Sequence, residues 1–179
     1  MRADRVIVAT GSRPVIPKPW LAFGDRLVSS DTLFELDQLP ASMAVIGLGP
    51  LGLELAQAMQ WLGVDIVAID PGQHIGGLSD PELLDYVAHH FSQELDIFKA
   101  KANIDAAEDG SLLVSAGSQK RNVERALVAV GRTPVIDGLG LENLGVELDK
   151  HGLPAVDAAN WGFTRFHGWG CQWDSTVPA

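Results

Sequence analysis

Apolar and polar positions alternate along this chain in a way that cuts it into short strands with two amphipathic helices among them. Residues 5–10 form a β-branched run closed by Gly11, a strand followed by a turn. Pro14, Pro17 and Pro19 then keep the chain extended and irregular. Ser29, Ser30 and Asp31 offer an N-cap to a short helix over 32–37. Residues 43–46 are a continuous apolar strand of the buried type. Leu51, Leu55, Ala58, Met59 and Leu62 recur at helical spacing, so a helix runs from Pro50 to about Leu62 and ends at Gly63. Residues 64–69 give a second strand, which ends at Asp70. A loop over 71–77 leads to a helix capped by Ser79 or Asp80, with Pro81 near its first position. Its apolar face is Leu84, Val87, Ala88, Phe91 and Leu95. Residues 96–105 and 112–116 read as strands joined by a tight turn at Asp109-Gly110, and 126–130 as a further strand. There is no internal repeat and no low-complexity run.

The strand over 43–46 runs directly into Gly47-x-Gly49-x-x-Gly52, which opens the first helix. Three glycines alone are weak grounds for a ligand; their place between a strand and a helix, with an acid closing the next strand, is stronger. Gly47 permits the tight turn, Gly49 lets a pyrophosphate reach the backbone, and Gly52 lets the helix pack close to the sheet. Pro50 suits the first helical turn, where its missing N–H is no loss. Unpaired N–H groups and the helix dipole favour an anion there. Asp70 is placed to accept hydrogen bonds from both hydroxyls of an adenosine ribose. It also favours NAD over NADP, because its carboxylate would repel a 2′-phosphate and no Arg or Lys lies between Asp70 and Leu95 to receive one. Two alternatives stay open at this level. The glycines can simply shape a βα turn, and a similar unit serves adenosylmethionine-dependent methyltransferases.

Composition narrows the class. The chain has 179 residues, 46% hydrophobic and 20% charged, as in soluble globular proteins. No stretch approaches the ~20 apolar residues of a membrane span, and 1–5 lead into no apolar signal core, so the expectation is a cytoplasmic protein with no membrane partner. The net charge of -10, from 23 acids and 13 bases, argues against nucleic acid, which requires a basic face. A single cysteine, Cys171, excludes a disulfide framework, a zinc cluster or a redox cysteine pair within these residues.

Two flanking segments complete a pattern. Ala9-Thr10-Gly11-Ser12-Arg13-Pro14 precedes the glycine unit, and Ala129-Val130-Gly131-Arg132-Thr133-Pro134 follows it. This order, A-T-G-S-x-P, then G-x-G-x-x-G-x-E, then A-x-G-R-x-P, resembles the flavoprotein disulfide reductases that carry two dinucleotide folds, in particular the dihydrolipoamide dehydrogenase branch. Ser30-Asp31, Leu39-Pro40, Leu141-Glu142-Asn143 and 146–149 add to the resemblance, which covers about 4–157. It implies an α/β fold: a Rossmann-like, doubly wound, mostly parallel NAD-binding domain over 14–128, flanked by remnants of an FAD-binding domain at 1–13 and 129–157. It implies that Gly47, Gly49, Pro50 and Gly52 surround the pyrophosphate of NAD and that Asp70 takes its ribose. Glu54 would meet the nicotinamide end, Gly131 the adenosine end of NAD, and Gly11 the FAD side. Arg132 and Pro134 would form the return crossover. The plainer readings are a structural ion pair for Arg132 and a helix N-terminal acid for Glu54. The parent enzyme would be a homodimer that passes hydride from reduced FAD to NAD, with a dithiol such as dihydrolipoamide as substrate. The family's cysteine pair, FAD fingerprint and interface domain with its His-Glu pair are absent from these residues, so no catalytic residue and no metal is expected here and the chain alone is expected to be inactive. A non-catalytic NAD-binding module and a piece of a sister reductase (mercuric reductase, soluble transhydrogenase, glutathione reductase) are the alternatives. His74, His89, His90 and His151 read as surface or loop residues.

The composition changes after Asn160, where Trp161, Trp169 and Trp173 crowd with Gly162, Gly168, Gly170, His167 and Cys171. The family carries a second FAD contact here, of the type H-I-F-V-A-G-D-A. Tryptophan has one codon, so a shift of one nucleotide is tightly constrained. It lets 164–173 read H-V-F-x-A-G-D-A-N-G. The expectation is that 158–179 form an aberrant tail read out of frame, with Cys171 no nucleophile.

Overall fold

The computed structural model describes residues 6–71, 75–144, 148–149, 153–156 and 171–172. His74, His151, His167, Trp161, Trp169 and Trp173, singled out above, lie outside them. The chain divides into two units, one of Pro14–Arg132 and one of Met1–Arg13 with Thr133–Ala179.

The strands of the larger unit that lack alternation are those with both faces covered. Leu27–Val28 (β3), Ser42–Ile46 (β4), Asp65–Ile69 (β5), Asp96–Phe98 (β6) and Arg125–Val128 (β10) form a parallel sheet in the order β3-β10-β4-β5-β6. Successive residues of β4 serve opposite cores: Met43 and Val45 face one, Ala44 and Ile46 the other. Two helices, Pro50–Trp61 (α1) and Pro81–Phe91 (α2), cover the first face. The second face carries an antiparallel meander of Ala102–Ala106 (β7), Leu112–Ala116 (β8) and Gln119–Val123 (β9). It contributes Ile104, Leu112, Val114, Ala116 and Val123 to the core with Ala44, Ile46, Val67 and Ile69. β8 alternates strictly between buried and half-buried residues, as a strand with one covered face should. The α/β, Rossmann-like class expected from the sequence is the one observed, with a meander as its third layer.

Four details differ from the sequence reading. The stretch after Pro14 is not irregular throughout: Lys18–Arg26 is 3-10 helical with a kink at Gly24, because Pro19 presets φ in its first turn. The helix expected over 32–37 is a single 3-10 turn, Leu33–Glu35; Ser29 Oγ accepts from the N–H groups of Asp31 and Thr32 (both 3.3 Å), closing a turn in place of a longer helix. The strand expected over 96–105 is two strands in two sheets, β6 and β7, parted at Lys99-Ala100-Lys101 so that the chain can cross from one layer to the next. The inner face of α1 is Gly52, Leu53, Leu55, Ala56 and Met59, whereas Ala58 and Leu62 are exposed. The helix is apolar on more than one stripe, so spacing alone could not choose between faces. Close packing of Gly52 chooses.

In the smaller unit Val6–Ile7 (β1) pairs in parallel with Cys171–Gln172 (β12). The division between units falls inside Ser12–Pro14 (β2) and Arg132–Pro134 (β11).

Candidate functional site

The reversal of strand order lies at β4, whose neighbours are β5 and β10. In open parallel sheets the C-terminal ends of strands at such a point border a crevice. The ends meet here through backbone bonds: Gly47 N–H donates to Ile69 O (2.9 Å) and Ala129 N–H to Ile46 O (2.8 Å). Gly47, Asp70 and the 129–131 segment therefore stand at one edge of the sheet.

Gly47 has a φ of 95°, and a Cβ on it would lie 2.5 Å from Ala129 O, so no other residue fits the turn. A Cβ on Gly52 would lie 2.0 Å from Gly47 O. This contact brings the first turn of α1 onto the strand end. At Gly49, in contrast, a Cβ would meet nothing within 4 Å. The space over its backbone is open, as the close approach of a pyrophosphate requires. Gly49 is the N-cap of α1 and supplies no side-chain cap; Pro50 stands at the first position, and the first turn holds no acid. The N–H groups of Leu51 and Gly52 have no intrahelical acceptor at this end. The donor set fits an anion held by backbone alone.

Asp70 follows β5, and its Oδ2 accepts from Leu48 N–H (2.8 Å). The acid that the sequence reading gave to a ribose is seen bracing the glycine turn. Glu54 lies on the exposed face of α1. Gly131 (φ 126°) is exposed, and its carbonyl accepts from Val15 N–H (2.9 Å). Gly11 (φ 74°) belongs to the smaller unit, where its carbonyl accepts from Val135 N–H (2.9 Å). The structure brings Gly47, Gly49, Pro50, Gly52 and Asp70 into one cluster with Gly131 along the same sheet edge.

Arg132 makes the ion pair of its plainer reading, and it is the last residue of the larger unit. Its guanidinium donates to Asp31 Oδ1 (2.7 Å) and Oδ2 (3.3 Å) and to Ser30 Oγ (2.9 Å). The hydrogen bond from Arg132, and then its charge, hold the Asp31 carboxyl below its ordinary value. Sequence reasoning missed Leu48, Gly76 and Gly77. Leu48 is fully buried, and its carbonyl accepts from Gly76 N–H (2.7 Å). The Gly-Gly pair after an acid-terminated strand is a turn signal that could have found them. Among the described residues there is no cluster of His, Cys, Asp and Glu suited to a metal, and no helix long and apolar enough to cross a membrane.

Residues 1–160 match the model of a family described as pyridine nucleotide-disulphide oxidoreductase. The chain is 34% identical over 159 residues to a dihydrolipoyl dehydrogenase of Chlamydia pneumoniae, covering 88% of this chain and 34% of that protein. It is 32% identical over 160 residues to a soluble pyridine nucleotide transhydrogenase of Photorhabdus laumondii, with 88% and 34% covered. The chain thus spans about a third of the length of these relatives. Among solved structures, LpdA of Mycobacterium tuberculosis superposes with a TM-score of 0.79 at 28% identity, over 95% of this chain and 37% of that one. The HOCl-induced flavoprotein disulfide reductase RclA of Escherichia coli shares the fold, with a TM-score of 0.77 at 23% identity over 95% of this chain and 41% of that one.

Proposed function

The chain belongs to the pyridine nucleotide-disulphide oxidoreductase family, and from that premise we propose that residues 14–128 hold NAD(H) for a flavoenzyme of the dihydrolipoyl dehydrogenase type. The family is FAD-dependent and uses NAD(P)H. Bound at this site, the nicotinamide supplies a hydride acceptor for reduced flavin, whose electrons come from a dithiol such as dihydrolipoamide. The residues of this chain bind and orient. Gly47, Gly49, Pro50 and Gly52 shape the cradle for the pyrophosphate, and the N–H groups of Leu51 and Gly52 offer it hydrogen bonds. Asp70 accepts from the ribose hydroxyls, Gly131 borders the adenosine half, and Glu54 meets the nicotinamide end. Gly11 and the smaller unit serve the FAD side of the parent enzyme, a homodimer.

The observation that carries this reading is the open backbone at Gly49 beside a helix start without a side-chain cap, with a carboxylate one strand away. The carboxylate supports NAD over NADP, since a 2′-phosphate there would face a negative charge. A transhydrogenase is the second reading, supported by a relative at nearly the same identity; such an enzyme must also accept NADPH.

Titration of the chain with NADH and NADPH, followed by nucleotide fluorescence, tests both. NADH is expected to bind at least roughly tenfold more tightly than NADPH. Asp70→Ala should abolish NADH binding. Asp70→Asn keeps an acceptor for Leu48 N–H and removes the charge, so it should narrow the preference without unfolding the turn. Equal binding of NADH by wild type and Asp70→Ala overturns the assignment; equal binding of both nucleotides by wild type favours the transhydrogenase.

A further inference from the structure

Leu48, between the first two glycines, is gripped at both ends of its backbone. Its N–H donates to Asp70 Oδ2 (2.8 Å), and its carbonyl accepts from Gly76 N–H (2.7 Å). Both partners belong to the segment that leaves β5. That segment is itself anchored: Ile75 is fully buried in the core on the helix side of the sheet. Gly76 and Gly77 both take left-handed backbone, with φ of 67° and 74°. They turn the chain back over the start of α1. A Cβ on Gly77 would stand 3.0 Å from Pro50 Cγ and 3.2 Å from Pro50 Cδ. The Pro50 ring is closed into the backbone, so it cannot swing aside as a flexible side chain can. Crowding at Gly77 is therefore relieved by moving the first turn of α1, which carries the N–H groups of Leu51 and Gly52.

We propose that the Ile75–Gly77 turn is a latch that fixes the phosphate cradle, and that Gly77 is a positioning residue for dinucleotide binding, acting through Pro50. The inference rests on the reading of that cradle as a dinucleotide site. Donors fixed before the ligand arrives bind it better than donors that must be ordered on arrival, and displacement by a few tenths of an ångström weakens them.

Gly110 supplies the control. Its φ of 83° imposes the same left-handed strain on a substituent, but a Cβ there meets nothing within 4 Å. Gly77→Ala and Gly110→Ala are therefore both expected to lower Tm, Gly77→Ala the more because its methyl also strikes Pro50. Only Gly77→Ala is expected to weaken NADH binding, by roughly tenfold. In a Pro50→Ala background, which removes the atoms that the new methyl strikes, Gly77→Ala should cost no more than about twofold. Should Gly77→Ala fail to fold, folding is expected to return in the Pro50→Ala background. Wild-type affinity in Gly77→Ala, an undiminished loss beside Pro50→Ala, or failure of that background to restore folding overturns the latch. A wild-type chain that does not bind NADH overturns the dinucleotide reading instead. The latch then stands or falls on hydrogen exchange at the Gly76 amide, which Gly77→Ala should accelerate and Gly110→Ala should not.

Discussion

At the residue scale, the glycine turn shows three glycines doing three different things. Gly47 is required by backbone conformation and Gly52 by contact with Gly47 O, whereas Gly49 leaves open space over its backbone. Their spacing was legible in the sequence, because each need is local to the strand-to-helix turn. That Asp70 braces Leu48 was not, since it depends on a contact across 22 residues. Arg132 was legible only as a choice between crossover residue and ion pair. Its partner Asp31, 101 residues away, needed the fold. This pair yields a pH prediction. The folded-state pKa of Asp31 lies below the ordinary 3.8, so its stabilising effect is complete above that value and is lost as pH falls through the lowered one. Urea unfolding of wild type and Asp31→Asn should differ at pH 7, with wild type the more stable. The gap should close as pH falls below 3.8, and a gap independent of pH would remove the ion pair from the account.

At the scale of elements, cap and turn residues decided where helices begin and end. Asp80 accepts from the N–H groups of Glu82 (2.9 Å) and Leu83 (3.1 Å), so it, and not Ser79, is the N-cap of α2. Asp80→Ala should destabilise the chain by about 1 kcal/mol, whereas Ser79→Ala should leave it unchanged, as read from urea midpoints. Equal effects would mean that the cap is shared. α1 ends as its sequence requires, with Gly63 at φ 90° and Val64 N–H bonded to Met59 O (3.1 Å). Which stripe of α1 turns inward was hidden, because Leu51, Leu53, Leu55, Ala58 and Leu62 offer two overlapping apolar faces. β9 was hidden for the opposite reason: Gln119-Lys120-Arg121-Asn122 is polar, and it is a strand because β8 pairs with it.

At the scale of the molecule, the family match ends at residue 160, where the composition changes. We propose that the tail over 158–179 is read out of frame. Sequencing of the source DNA is expected to reveal a one-nucleotide shift near codon 160 that restores a G-D-A run. A confirmed frame through Ala179 would leave the tail as this chain's own and sink that reading. The amino-acid sequence by itself determined the β4-α1-β5 unit, the glycine motif and the family, because βα turns, caps and apolar runs are dictated by neighbours within a few residues. Only the tertiary structure decided which strands share a sheet, which face of α1 is buried, that a β-meander and not helices covers the second face, and that the turn after Asp70 clasps Leu48 and rests on Pro50. Each of these depends on surfaces meeting from distant parts of the chain. Their free energy comes from mutual burial and close contact, which no local pattern encodes.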